Sequence, residues 1–477
     1  MRESISFVLN GKITVIDFLS ETRFTPTTTV LNYLRSLPGH RGVKEGCAEG
    51  DCGACTVVLA ELNGDGRLTY RAVNSCLIFL PKLHGKALLT VEYLKGQNGQ
   101  LHPVQQALVE THGSQCGFCT PGFVMSLYAL YQEKTEYSRE NAEEALAGNL
   151  CRCTGYQPIL KAAEKVLKEK PAADSEKEQK LIRLLKNLPK ESVAVQTEKQ
   201  YYHLPATLDE LLHLRQTYPQ ALLLNGATDA ALRVTKKFET LPAVIDTSAV
   251  AELGFFTKTE RSFIIGSGVT IQRLKDISRD HFPALSRMCR VFGSRQIRQI
   301  ATLGGNLGTA SPIGDMLPVL MAYDGTVILK SLNGERRVSL DEFVLGYRQI
   351  DLKEEKIIYA VELPIPGANV HIRTYKISKR REVDISTVSA AFRLELNNKE
   401  TIERIKLVYG GMAETTKRAY KTEAFLQGKA WNGETVLAAQ KILVDEFTPI
   451  SDARSGADFR RIAAANLLLK FWQELSK

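Results

Sequence analysis

The sequence contains no apolar run near the ~18 residues that would carry a helix across a bilayer, and no internal repeat or low-complexity tract. Its first residues, Met-Arg-Glu-Ser-Ile-Ser-Phe, carry an early acid and alternate apolar with polar, which is unlike a signal peptide. Charge of one sign is missing too. The 62 Lys and Arg stand against 53 Asp and Glu, a net +9, and the two signs are interspersed, so nucleic acid is not implied. Cysteine is nearly absent outside one region: eight of the nine fall between 47 and 153, and only Cys289 lies beyond. Disulfide scaffolds are short secreted chains, so clustered thiols in a chain without a leader point to thiolate ligands in a reducing cytoplasm. What is present is 477 residues, 44% apolar and 24% charged. That is ordinary globular material for about three domains.

The thiols come in two sets. In Gly46-Cys47-Ala-Glu-Gly-Asp-Cys52-Gly-Ala-Cys55, followed by Cys76 after twenty intervening residues, the spacing is C-x4-C-x2-C…C. This is the plant-type pattern that wraps a [2Fe–2S] cluster. Three thiolates from one tight loop require the backbone to bend round them, and Gly46, Gly50 and Gly53 are expected to supply positive φ. Backbone amides brought close to sulfur would stabilise the negative charge. Four thiolates also satisfy a structural zinc, although zinc sites usually pair two C-x2-C knuckles. The second set is Cys116-Gly-Phe-Cys119 and Cys151-Arg-Cys153, with 31 residues between the pairs. A second [2Fe–2S] cluster is the reading, with zinc again the alternative.

Around these sets the periods change along the chain. Ile5, Phe7 and Leu9, then Ile13 and Val15, alternate on either side of Asn10-Gly11, which predicts a β-hairpin. A short helix is expected over 29–35, and a second hairpin over 56–62 and 68–73. From 102 to 168 the pattern is helical, with four helices expected. Thr120 is read as a cap with Pro121 at the first helical position, and both cysteine pairs lie at helix ends. Residues 169–199 are charged and weakly patterned apart from Leu181, Leu184, Leu185 and Leu188, and read as a linker. From Tyr201 strands and helices alternate; strands near 372–378, 387–396 and 402–410 and a helix over 463–475 form a last unit.

Glycines after strands offer candidate phosphate cradles. Gly266-Ser-Gly268 lacks the third glycine and the ribose-binding acid of a dinucleotide fingerprint, so an ordinary turn is expected there. The stretch Ile300–Asp315 is denser in glycine. Its backbone could approach a pyrophosphate closely, and Thr302, Asn306 and Thr309 could bind phosphate or ribose.

Taken in order, these parts resemble the iron–sulfur and FAD portion of xanthine dehydrogenase and its molybdenum hydroxylase relatives. The resemblance is carried by the Cys47–Cys55 loop, by Gln115-Cys-Gly-Phe-Cys-Thr-Pro-Gly, by Cys151-Arg-Cys-Thr-Gly-Tyr-Gln-Pro-Ile, and by Thr302-Leu-Gly-Gly-Asn-Leu-Gly-Thr-Ala-Ser-Pro-Ile-Gly-Asp315. It implies an α+β multidomain architecture. A β-grasp plant-type ferredoxin domain is expected over 1–86, a four-helix [2Fe–2S] domain over 87–168 and a linker over 169–199. An α/β FAD-binding domain of the vanillyl-alcohol-oxidase-like type would follow over 200–370, and a C-terminal flavoprotein domain over 371–477. It also implies that Cys47, Cys52, Cys55 and Cys76 hold one cluster and Cys116, Cys119, Cys151 and Cys153 the other.

For FAD, the resemblance implies Leu223, Leu224, Asn225, Gly226, Ala227, Thr228, Asp229 and Ala230, then Ala301, Thr302, Gly304, Gly305, Asn306 and Thr309, around the diphosphate and ribityl chain. Gly314 and Asp315 would lie at the adenine half, Phe292 against the flavin ring, and Lys376 near the cofactor. Tyr347 and Asp384 would face the nicotinamide side. Ala227 departs from the Gly-Gly-Thr or Gly-Asn-Thr more usual in relatives. No molybdopterin region follows Lys477 in this sequence, so the resemblance implies a large molybdenum-bearing partner in an α2β2 assembly, cytoplasmic, with NAD⁺ as acceptor. Purine oxidation is the expectation. An aldehyde or another heteroaromatic substrate is the alternative, because specificity would reside in the partner.

Overall fold

The computed structural model describes residues 2–96, 99–169 and 175–476. The chain divides into two units. The first comprises Met1–Leu214, Tyr218–Ala251 and Ser294–Ala301; the second comprises Arg215–Thr217, Glu252–Gly293 and Thr302–Lys477.

In the first unit, Ser4–Leu9 and Lys12–Asp17 form the expected hairpin, with Asn10 and Gly11 both at positive φ. The helix Val30–Ser36 is capped by Thr29, whose hydroxyl accepts the Asn32 amide. Thr56–Leu62 and Leu68–Asn74 make the second hairpin. Ala87–Leu89 joins the two by pairing parallel to Ser4–Leu9 and antiparallel to Thr56–Leu62. The domain boundary expected at 86 is therefore corrected: it would cut off the central strand of this five-stranded sheet. Three residues are too few to show a period, and all three are buried.

Four helices follow, Pro103–Glu110, Thr120–Gln132, Arg139–Leu146 and Gln157–Glu169. Thr120 is not the cap of the second. Cys119 occupies that position, and the Thr120 hydroxyl pairs with Ser114 at 2.8 Å. The segment read as a linker is largely structured. Residues 170–174 lie outside the described residues, but Ser175–Lys186 is a helix and Val193–Gln196 a strand. Leu181, Leu185 and Leu188 join the same buried cluster as Phe123 and Leu127, which explains their spacing beneath a charged surface. Val193–Gln196, Tyr201–Leu204, Ala243–Asp246 and Leu222–Leu224 form a four-stranded sheet in that order, the last three mutually parallel.

The second unit is built on antiparallel sheets. Five strands run in the order Phe256–Lys258, Ser262–Gly266, Ile357–Pro364, Thr326–Ser331 and Gly334–Ser339. A second sheet takes Val370–Ile377, Val388–Leu396, Ile402–Gly410 and Lys417–Arg418. Tyr375, Phe392 and Tyr409 on this sheet pack in one buried cluster with Phe471 of the helix Ala457–Leu475. Among the described residues no helix is long and apolar enough to cross a membrane.

Candidate functional site

The first thiol set sits in the first unit, as two pairs. Cys47 pairs with Cys52, and Cys55 Sγ lies 3.4 Å from Cys76 Sγ. The amides of Glu49 and Cys52 both donate to Cys47 Sγ at 3.4 Å. All nine cysteines are free thiols. Two thiolates held at ~2.3 Å by one tetrahedral ion stand about 3.8 Å apart. The Cys55–Cys76 separation is near that value, the spacing of two ligands on one metal. Among the described residues no group of three or more His, Cys, Asp or Glu converges on a single ion. Two pairs of thiols are a donor set for a binuclear cluster, with one pair to each iron.

The acidities follow the pairing. The bond to Cys52 brings the Cys47 thiol down to about 5, against burial and with help from the amides of Glu49, Cys52 and Asp51; the same contact drives Cys52 up. Cys76 is likewise raised, by Cys55 first and then by burial, while its bond lowers Cys55. In each pair the contact lowers one thiol and raises the other, and a metal cation would favour the deprotonated form of both.

The second set is also two pairs. Cys116 and Cys153 stand 3.7 Å apart and exposed, while Cys119 pairs with the buried Cys151. Burial, then the bond to Cys151, raises Cys119 to about 12. In Cys151 burial acts upward but is outweighed by the Thr154 hydroxyl at 3.2 Å and the amides of Thr154 and Cys153, so its thiol is lowered. Tyr156 OH accepts the Cys151 amide at 2.9 Å and anchors the turn.

The two sets adjoin. The Leu150 amide donates to the Cys52 carbonyl at 2.9 Å, so one hydrogen bond separates a ligand-bearing residue of the first set from the neighbour of Cys151. Beside it, Asn149 Nδ2 donates to the Gly53 carbonyl at 3.0 Å and to Thr56 Oγ1 at 3.2 Å. The glycines act differently from expectation at one position. Gly53 is left-handed at φ +68, as read from the sequence, but Gly46 is not; a Cβ there would fall 2.8 Å from Cys52 Sγ, so it is room for sulfur that requires glycine.

Of the expected FAD residues, Leu223–Ala230 lie in the first unit, at the end of the strand Leu222–Leu224. Gly226 is buried, and a Cβ there would meet the Ile300 carbonyl at 2.1 Å. Ala227 adopts φ +58, a left-handed conformation that favours glycine. Lys82 Nζ donates to the Asn225 carbonyl at 2.5 Å, and Asn225 Nδ2 donates to Thr247 Oγ1 at 3.0 Å. Burial lowers Lys82 to about 8. Asp229 is exposed, Thr228 and Ala230 half-buried, and Ala301, in the segment 294–301, is buried.

The remaining FAD residues lie in the second unit. The stretch read as a loop is a short helix, Leu303–Thr309. Thr302 caps it, its hydroxyl accepting the Gly305 amide at 3.2 Å, and Thr309 Oγ1 donates to the Gly305 carbonyl at 2.9 Å, so both hydroxyls have partners within the chain. Gly304 packs against Ser267, whose Cβ would stand 2.5 Å from an added side chain. Gly305 is exposed, with only Thr302 Oγ1 close to its absent Cβ. Asn306 Oδ1 is buried without a hydrogen-bond partner and lies 3.9 Å from where a Gly314 Cβ would be. An orphaned acceptor fits a polar group arriving from outside the protein. Asp315 and Lys376 are buried and paired at 2.7 Å. Ser386 Oγ donates to the other Asp315 oxygen at 2.5 Å, and Lys376 also reaches the Val291 carbonyl at 3.1 Å. Phe292 follows this carbonyl and is half-buried. Tyr347 is exposed, and Asp384 accepts the amides of Arg380 and Ile385 within its own turn.

Asn149, Lys82 and Gln296 were not anticipated as site residues. Asn149 could have been marked by its place two residues before Cys151. Lys82 and Gln296 carry no local signal, because each acts on a segment more than a hundred residues away.

Three protein-family models match in succession. A [2Fe-2S] binding domain matches residues 90–164, the FAD binding domain in molybdopterin dehydrogenase residues 194–366, and the CO dehydrogenase flavoprotein C-terminal domain residues 373–475. The chain thus carries an iron–sulfur domain and both parts of a flavoprotein. It is homologous to the N-terminal part of xanthine dehydrogenases, consistent with an iron–sulfur/FAD subunit of the molybdenum hydroxylase family. It is 33% identical to xanthine dehydrogenase/oxidase of Gallus gallus, over 100% of this chain and 40% of that protein. It is 32% identical to xanthine dehydrogenase of Emericella nidulans, over 99% and 39%. It therefore spans about two fifths of the length of these relatives. In fold it is similar to a chain of carbon monoxide dehydrogenase from Hydrogenophaga pseudoflava, with TM-score 0.54 and 24% identity over 58% of this chain and 96% of that one. A chain of quinoline 2-oxidoreductase from Pseudomonas putida 86 is similar at TM-score 0.53 and 23% identity, over 59% and 99%.

Proposed function

We propose that this chain is the electron-transfer component of a xanthine dehydrogenase, working with a molybdenum-bearing partner chain in the overall reaction xanthine + NAD⁺ + H₂O → urate + NADH + H⁺. The observation that carries this reading is the arrangement of eight thiols as two adjoining sets of two pairs, joined through the Cys52 carbonyl and the Leu150 amide. The 33% identity over the whole chain supports the choice of xanthine dehydrogenase. When bound, two [2Fe–2S] clusters would carry single electrons, and FAD would couple them to two-electron exchange with NAD⁺.

The chain's own residues have definite parts in this. Cys47, Cys52, Cys55 and Cys76 hold one cluster, and Cys116, Cys119, Cys151 and Cys153 the other. The exposed pair Cys116–Cys153 is the end through which electrons enter. Amides on Cys47 and the Thr154 hydroxyl on Cys151 stabilise thiolate charge. The turn Asn225–Ala230 and the helix Leu303–Thr309 each contribute to FAD binding. Gly305 leaves the backbone accessible, and Asn306 Oδ1 accepts a donor from the cofactor. Asp315 and Lys376 keep their place on the cofactor side, and their ion pair at 2.7 Å holds the two side chains in position there.

Four iron, four labile sulfides and one FAD per chain are expected on analysis; stoichiometric zinc without labile sulfide would overturn the reading. The flavin-loaded chain alone should pass electrons from NADH to ferricyanide and should not turn over xanthine. Adding the molybdenum-bearing partner should confer xanthine-dependent NAD⁺ reduction. If another heterocycle or an aldehyde, and not xanthine, reduces the complex, the assignment moves to another molybdenum hydroxylase.

A further inference from the structure

The short helix Arg295–Arg298 stands far in sequence from every cysteine ligand, yet it belongs to the same compact unit as both thiol sets. Gln296 on it is fully buried. The two N–H groups of its Nε2 are shared among Ser126 Oγ at 2.9 Å, the Ala145 carbonyl at 3.0 Å and Asn149 Oδ1 at 3.2 Å. Ser126 Oγ in turn donates to Asn149 Oδ1 at 2.6 Å. Two donors on Oδ1 fix which way the Asn149 amide faces, leaving Nδ2 for the Gly53 carbonyl and Thr56 Oγ1. Gly53 immediately follows Cys52, and Asn149 precedes Cys151 by two residues. Asn149 is thus a bracket between the two ligand loops, and Gln296 sets its orientation.

The packing leaves this bracket little freedom. A Cβ on Gly148 would meet Gln296 Oε1 at 2.1 Å, and one on Gly122 would meet the Gly53 carbonyl at 2.3 Å. On either side of Gln296, Arg295 is paired with Glu133, and the buried Arg298 with Glu144 at 2.5 Å. These anchor the helix to Thr120–Gln132 and to Arg139–Leu146, between which Gln296 reaches Asn149.

We propose that Gln296 is a positioning residue that sets the separation and mutual orientation of the two cysteine sets, acting through Ser126 and Asn149. The inference rests on the reading of both sets as [2Fe–2S] sites. A buried amide whose donors all find acceptors fixes geometry that apolar packing alone would leave free. Removing the Gln296 donors leaves Asn149 Oδ1 held by Ser126 alone, and the contact between Gly53 and Asn149 loosens without any ligand being lost.

The test is the magnetic interaction between the two clusters in the dithionite-reduced full chain, read as splitting of the low-temperature paramagnetic resonance signals. Gln296→Met keeps the volume and removes the donors. It should retain the full iron and sulfide of the unmutated chain and lose or narrow the splitting. In an Asn149→Ala background, where the bracket is already gone, Gln296→Met should change the splitting no further. Three results overturn the proposal: unchanged splitting in Gln296→Met, effects of the two substitutions that simply add, or loss of a whole cluster's iron, which would make Gln296 a folding residue only. If the unmutated chain itself shows no two interacting paramagnets, it is the cluster reading that fails.

Discussion

Replacing Gly53 by alanine isolates the close approach of the two thiol loops. Gly53 sits at φ +68, where a Cβ costs about 1–2 kcal/mol in any context. Here that Cβ would also lie 2.1 Å from the Gly148 carbonyl and 2.6 Å from Asn149 Nδ2, both part of the other loop. Forcing these apart is overpacking, typically about 1–3 kcal/mol. It also breaks the Asn149 bond to the Gly53 carbonyl, worth about 1 kcal/mol. The terms sum to roughly 4 kcal/mol. For a unit of this size that is a fall of about 10 °C in the melting midpoint. Gly66→Ala separates the contributions, because Gly66 has φ +74 but nothing within 4 Å of its absent Cβ. The assay is thermal unfolding of both variants beside the unmutated chain, followed by circular dichroism and by the visible absorption of the bound iron. Gly66→Ala should fall by a few degrees only. If Gly53→Ala melts no lower than Gly66→Ala, the loops are not in the tight contact described, and the reasoning is refuted.

Ala227→Gly should stabilise the first unit by up to about 1 kcal/mol, since it removes the left-handed cost at φ +58, less the entropy a new glycine adds to the unfolded chain; a denaturation midpoint that falls would contradict this. Acid should destabilise the first unit as pH drops below about 6.5. Burial lowers both His84, whose Nδ1 accepts the Ser6 amide, and His203, so each stays neutral in the fold while the unfolded chain takes up a proton. The unfolding free energy should be level above that pH and decline beneath it, and a rise on acidification would disprove the assignment. Cys289→Ser should keep full iron because Cys289 is buried beside Met316, whereas Cys52→Ser and Cys119→Ser should each lose one cluster. Gly305→Val should weaken FAD binding and leave iron unchanged, measured by flavin titration and metal analysis; wild-type affinity would remove Gly305 from the flavin site.

The sequence is most legible where chemistry and local geometry coincide. The thiol sets could be read because three or two ligands of each lie within a few residues, and a metal fixes ligand spacing more tightly than packing fixes side chains. Asn10-Gly11 could be read because a two-residue hairpin turn demands positive φ at both positions. The four helices of 103–169 showed their period. The strand Ala87–Leu89 did not, since three buried residues have no alternation to show. The helix Ser175–Lys186 was obscured by its charged face, although its leucines carried the right spacing. The glycine-rich stretch resembled a cofactor-binding loop, and glycine disfavours helix. A seven-residue helix survives there because Thr302 caps it, and Leu303 and Leu307 are wholly buried.

What no local pattern could disclose is that residues 294–301 belong with the thiol sets rather than with the strands on either side of them in sequence. Ser294 caps the helix locally, but three of its other side chains pair more than 140 residues away: Arg295 with Glu133, Gln296 with Asn149, Arg298 with Glu144. Ile297 adds a fourth such link, its Cδ1 lying 2.9 Å from where a Gly50 Cβ would stand, so the thiol loop packs against this segment as well as against Leu77. Ile300 closes against Gly226 in the same way. Gln296, Ile297 and Ile300 therefore reach, in turn, the bracket at Asn149, the Cys47–Cys55 loop and the turn Asn225–Ala230. Long-range contacts of this kind form late, after the loops they join have been brought together. The two thiol sets should accordingly reach their final mutual geometry only when this segment has docked, which is why a residue remote from every cysteine can govern how the cysteine sets stand to one another.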